Sequence, residues 1–218
     1  IDRIADIASV YFNDAASSHR WDHTWRVYKL AVSLGEQEKA DLEIVSVAAL
    51  LHDIGRTRED KSRGEHCHAT WGAEMAREIL TKEGIEKERI DRIAHCIATH
   101  RFRDDKLPET LEASVLFDAD KLDAIGAVGI GRAFLFAGEV GAQLHDQAVD
   151  INTSKPYTYE DTAYREYLVK LRYVKDRMLR RHVLVGERGH QQRALIAQST
   201  QQAHHDRLGA ARDVAHTA

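Results

Sequence analysis

The 218-residue chain has only two cysteines, only two prolines and no long uninterrupted apolar run, and each shortage excludes a class of protein. Cys67 and Cys96 do not form a Cys-x-x-Cys pair, so neither a disulfide framework nor a thiolate zinc site is expected. A reducing cytoplasm is the setting this composition predicts. No stretch approaches the ~18 consecutive apolar residues that span a bilayer. The first residues carry no charged segment followed by an apolar run and a cleavage site, so neither secretion nor membrane insertion is expected. With 31 Lys and Arg against 35 Asp and Glu, the formal charge is −4, and the broad basic footprint of a nucleic-acid-binding protein is missing. A small anionic substrate needs only a local cluster of cations and stays open.

What is present is a composition, 43% hydrophobic and 30% charged, that can fold around one helical core. Apolar residues recur at three- and four-residue intervals while alternating strand patterns are scarce, which predicts an all-α single domain. Helices are expected over 1–14, 22–36, 40–54, 68–83, 87–100, 111–125 and 128–137, with breaks at Gly84 and Pro108. The stretch from Gly138 to Pro156 lacks periodicity and reads as an irregular excursion able to cover a cleft. Beyond it, Tyr164, Tyr167, Leu168, Leu171, Val174 and Met178 recur at helical spacing, as in a helix docked on the core. The domain is expected over 1–185. The segment 186–218, with few large apolar residues, is expected to be a helical or mobile tail and a possible homo-oligomer contact.

Several histidines and aspartates fall on apolar helix faces, where an unpartnered polar group is costly. His23 shares a face with Val27, Leu30 and Leu34. His52 shares one with Leu42, Val45 and Ala49, and Asp53 follows it directly. Asp120 lies in a stripe with Leu116, Phe117 and Ala124. One such residue is ordinarily a core group satisfied by hydrogen bonds. Three helices sending such groups inward point to a shared partner, and a divalent cation would neutralise the acids. Two imidazoles and two carboxylates suit Mn²⁺, Fe²⁺, Co²⁺, Ni²⁺ or Mg²⁺ in octahedral geometry better than closed tetrahedral zinc.

His23 within Asp22-His23-Thr24-Trp25-Arg26-Val27, the run Leu50-Leu51-His52-Asp53-Ile54-Gly55, and Asp118-Ala119-Asp120-Lys121-Leu122-Asp123-Ala124 together resemble the H…HD…D signature of HD-domain phosphohydrolases. His68-Ala69, Thr99-His100-Arg101-Phe102-Arg103 and the run from Gly126 to Phe134 extend the resemblance to the small stand-alone bacterial members, over about residues 18–180. It implies metal ligation by His23, His52, Asp53 and Asp120. Asp118 competes with Asp120. Asp120 is preferred because it lies on the apolar stripe and matches the first Asp of the family's Ala-Asp-x-x-Asp-Ala pattern. Asp123, one turn later, could orient a ligand from behind. A second His-Asp pair, His145-Asp146, follows no apolar helix and reads as a loop.

His68 shares a face with Gly72, Met75 and Ile79, and His100 continues the face of Ile93 and Ile97. In the family, histidines resembling these contact a phosphate or leaving group, or hold a second metal. The resemblance implies a metal-dependent phosphohydrolase acting on a phosphate ester or anhydride, with a nucleotide as the expected substrate and manganese among the suitable ions. Asp53, His68 and His100 are the expected catalytic residues, and Arg26, Arg56, Lys121, Arg101 and Arg103 the expected phosphate clamps. Two other classes remain: a catalytically silent sensor binding a nucleotide or metal, and a di-iron oxygenase, which requires His68 and His100 both to bind metal. His66-Cys67-His68 cannot place three side chains on one helical face, and the glycines at 126, 129 and 131 follow a helix instead of the strand that a dinucleotide loop needs. His19 could line the mouth of the cleft.

Overall fold

A computed structural model of the protein describes residues 1–13, 17–101 and 107–179. The expected tail at 186–218 and the expected clamp Arg103 lie outside the described residues. Among these, the structure is all-α with no strand, and no helix is long and apolar enough to cross a membrane.

The helices are α1 (Asp2–Val10), α2 (Trp21–Glu38), α3 (Leu42–Leu51), α4 (Arg56–Lys61), α5 (His68–Lys82), α6 (Lys87–Thr99), α7 (Leu111–Asp123), α8 (Gly126–Glu139) and α9 (Ala163–Val169). Short 3₁₀ turns cover Ser17–His19 and Leu171–Arg177. Helix α3 is apolar apart from Glu43 and Ser46, and every residue from Ile44 to Leu51 is buried, which makes it the central rod of the core. Its start is fixed by Asp41, whose carboxylate accepts from the amides of Glu43 and Ile44 at 3.1 and 3.2 Å. Helices α2, α6 and α7 pack around it, and α5 pairs with α6. Helix α7 starts in the same way, with Thr110 accepting from the Ala113 amide, and is buried over nearly its whole length.

These contacts bring the end of α3, the first turns of α2 and α5, and the last turns of α6 and α7 to one place. Gly55 makes the approach of α5 possible: a Cβ there would stand 2.4 Å from the His68 carbonyl oxygen. Gly129 does the same for α8, where a Cβ would meet the Ala124 carbonyl at 2.0 Å. Within the glycine-rich run, Gly129 therefore serves close packing and Gly126 takes a left-handed φ of 68°, whereas Gly131 faces open space.

Two expectations need correction. Between the helices expected over 40–54 and 68–83, where no helix is expected, residues 56–61 form α4. Its sequence Arg-Thr-Arg-Glu-Asp-Lys has no apolar period, and Glu59 is nonetheless buried. The docked helix near the end divides at Lys170 into α9 and a 3₁₀ turn. Tyr164 and Tyr167 are exposed there, and the buried positions are Ala163, Arg165 and Val174.

Candidate metal centre

Four imidazoles converge on Asp53. His23 comes from the first turn of α2, His52 and Asp53 from the end of α3, His68 from the first residue of α5 and His100 from the end of α6; all five are buried. Each ring has its Nδ1 engaged. His23 Nδ1 lies 2.8 Å from Asp123 Oδ2, His52 Nδ1 2.7 Å from the Ala49 carbonyl and His100 Nδ1 2.6 Å from the Ile97 carbonyl. His68 Nδ1 contacts the Glu59 carboxylate. A carbonyl or carboxylate accepts only, so Nδ1 carries the proton in these rings and Nε2 presents a lone pair.

The Nε2 atoms then face one another. Those of His23 and His52 are 3.4 Å apart, with Asp53 Oδ2 at 3.5 and 3.7 Å from them and Asp120 Oδ1 3.5 Å from His23 Nε2. Buried lone pairs in this arrangement repel unless a cation lies between them. Ligands ~2.0–2.2 Å from one ion stand roughly 3 to 4 Å from each other, the spacing seen here. The ligand atoms of His23, His52 and Asp120 all fall within 4.8 Å of one another, as do those of His52, Asp53 and His100. The donor set therefore fits a divalent ion.

Asp118 is turned elsewhere: its carboxylate accepts the Leu179 amide at 2.9 and 3.2 Å, tying the C-terminal part of the described chain to α7. Asp120 is oriented by Lys121, whose Nζ donates to Asp120 Oδ2 and to the His100 carbonyl, both at 2.7 Å. The Lys121 ammonium thus already has two acceptors inside the site, and burial pushes its pKa down.

The electrostatics keep Asp53, His52 and His68 in ligand form. Burial alone would raise Asp53, yet the neighbouring Arg56 guanidinium holds it well below the usual carboxylate range. Burial pushes His52 down to about 4, and burial together with Arg56 pushes His68 down to about 3, so both rings are neutral at physiological pH. For His23, burial and Arg132 act downward, but the Asp123 and Asp53 carboxylates together outweigh them and raise it. A metal ion must displace a proton there, so affinity falls as the solution is acidified.

Behind His23, Asp123 collects Arg26 Nε at 2.7 Å and Arg132 Nη1 at 3.0 Å. This corrects one sequence expectation. Arg26 is not a clamp in the cleft, because its guanidinium folds back onto Asp123 and onto Asp22 at 2.6 Å. Arg56, Arg101, Lys121 and Arg132 do line the cleft. Arg132 and Glu59 were invisible to sequence reasoning, since an isolated Arg on α8 and an acid in a charged segment carry no periodic signal. Asp123→Asn is expected to weaken metal binding about 10–100-fold, the usual cost of losing a partner that orients a ligating histidine. Isothermal titration with Mn²⁺ measures it, and unchanged affinity would remove Asp123 from the site.

On the far side of Asp53, the Nε2 atoms of His68 and His100 are 3.2 Å apart and stand 3.4 and 3.7 Å from Asp53 Oδ1. Here a cation is already in place. Arg56 Nη2 lies 3.0 Å from His68 Nε2 and 3.3 Å from Asp53 Oδ1, anchored by Glu59 at 3.4 Å. His66 stacks edge-on against Trp71, and His145 lies exposed beyond α8, so neither His66-Cys67-His68 nor His145-Asp146 forms a site.

The HD-domain family model matches residues 20–125, a span that contains His23, His52, Asp53, His68, His100 and Asp120. The Bacillus subtilis protein YpgQ is 39% identical over 169 residues, covering 76% of this chain and 74% of its own. The crystal structure of that protein in complex with ADP superposes with a TM-score of 0.63 at 33% identity, over 93% of this chain and 97% of the other. A predicted HD-superfamily hydrolase from an uncultured Thermotogales bacterium is 32% identical with a TM-score of 0.54, over 81% and 90% of the two chains. The two clusters of imidazoles and carboxylates about Asp53, set in this helical frame, place the chain in the HD-domain superfamily, with the fold of its hydrolases.

Proposed function

We propose that the protein is a metal-dependent phosphohydrolase that cleaves a phosphate ester or anhydride of a nucleotide. The observation that carries this reading is the ligand group His23, His52 and Asp120, with Asp53 Oδ2 at 3.5 and 3.7 Å from its two imidazoles, beside the Arg56 guanidinium and a cleft. The ADP complex of YpgQ supports the nucleotide. When bound by these four residues, a divalent ion supplies Lewis acidity toward a phosphoryl oxygen and lowers the pKa of a water enough for attack near neutral pH.

The chain's own groups do the rest. Asp53 Oδ1 and the His100 Nε2 lone pair, 3.7 Å apart, are the acceptors at hand for the proton of an attacking water. Arg56 and Arg101, both anchored on Glu59, offer N–H groups to phosphate oxygens. Lys121 holds Asp120 and the end of α6 in register.

The position of Arg56 favours one ion over two. A second dication between His68 and His100 would displace a guanidinium already bonded to His68, Asp53 and Glu59. This weighs against the di-iron oxygenase. The test is release of phosphate or pyrophosphate from a panel of nucleotides by metal-stripped protein resupplied with Mn²⁺, Ni²⁺, Co²⁺ or Mg²⁺. Metal-dependent turnover is the expected result. Tight nucleotide binding without turnover would replace the hydrolase by a sensor.

A further inference from the structure

The cleft is lined in two unlike ways. Its ionic lining is formed by His23, His68, His100, Asp120, Arg56 and Lys121, whereas its apolar lining includes Ala133, Phe136 and the ring of Tyr157. A ligand filling both needs an anionic head and a flat, apolar body. Tyr157 has further peculiarities. It is a non-glycine residue at φ 59°, in the left-handed region that bulky side chains avoid. Its amide donates to Asp161 Oδ2 at 3.0 Å, and Asp161 is held by the buried Arg165, which bonds Asp161 Oδ1 and Ser154 Oγ, both at 2.6 Å. The ring lies between Gly64, where a Cβ would stand 2.9 Å from Cε2, and Phe136, whose centroid is 5.5 Å away with the planes at 84°. A buried ion pair therefore fixes the backbone in an unfavourable conformation, and the result is one aromatic ring facing the cleft.

We propose that Tyr157, backed by Phe136, is the nucleoside-binding wall of the site and takes the base of a nucleoside phosphate whose phosphates lie on the ionic lining. This rests on the nucleotide reading above. Base stacking on an aromatic ring accounts for such a wall without requiring a base-specific hydrogen bond.

The experiment compares equilibrium dissociation constants of ADP and of inorganic pyrophosphate, measured by calorimetry on Mn²⁺-loaded protein. Tyr157→Asn removes the ring but tolerates the left-handed backbone, and Tyr157→Gly serves in the same way should the asparagine variant fold poorly. The expected result is ADP binding weakened tenfold or more with pyrophosphate unchanged within twofold, and Tyr157→Phe close to wild type for both. Equal losses for the two ligands, no loss for either, a Phe variant as impaired as Asn, or no ADP binding by the wild type would each overturn the proposal. Turnover is read separately. ADP bound through Tyr157 without hydrolysis of any nucleotide would sink the hydrolase and leave the wall standing.

Discussion

Replacing Asp53 by asparagine is expected to lower metal-dependent hydrolysis by roughly 10³-fold, on the scale of losing a group that stabilises the transition state directly. The carboxylate sits between the two imidazole pairs, Oδ2 toward His23 and His52 and Oδ1 toward His68 and His100. Among the described residues, Asp53 is the acid within 4 Å of all four rings. An amide of the same shape keeps the packing but removes the charge that draws a cation in. Its NH₂ would also donate to the imidazole lone pairs, so the metal-free fold should persist. Turnover and circular dichroism on the same preparation check this. Activity retained within threefold in a folded variant would exclude Asp53 from the chemistry.

Arg56→Gln should have the second largest effect, and of a different kind. The guanidinium is fully charged, kept so against burial by Asp53 and Glu59, and it occupies the position beside His68, His100 and Asp53 Oδ1. Without it, Asp53 rises toward its ordinary range and the second imidazole pair loses its resident cation. Two outcomes are expected together: kcat/KM falls about 10²-fold through loss of a charged phosphate donor, and bound metal rises from one ion per chain toward two. The fold survives because Glu59 keeps His68 and Arg101 as partners. Metal analysis of dialysed protein gives the stoichiometry. Two ions in the wild type, or one in both proteins, would contradict the role given to Arg56.

The legible part of the site is the part written as polar residues on apolar faces. His23, His52 and Asp120 stand out because the stripes around them have no other reason to break, and His68 and His100 follow from the same periodicity. Asp120 lies on the apolar stripe of α7, whereas the Asp118 carboxylate holds the Leu179 amide. What could not be read depended on side-chain reach. Arg26 occupies the turn after His23 and looks like a clamp in sequence, but a long guanidinium is free to choose its acceptor, and Asp123 is nearer than the cleft. Glu59 is buried only because His68, Arg56 and Arg101 all meet it. That convergence belongs to the tertiary fold and leaves no trace in the charged run 56–61. Tyr157 is hidden for the same reason: the Asp161–Arg165 pair that forces its backbone is an ordinary helix-start pattern until the ring is seen between Gly64 and Phe136.

Anomalous diffraction from crystals of the protein soaked in Mn²⁺ tests the central assignment most directly. One peak within bonding distance of His23 Nε2, His52 Nε2, Asp53 and Asp120 is the predicted result. A peak instead between His68 and His100, with the first cluster holding none, would contradict it.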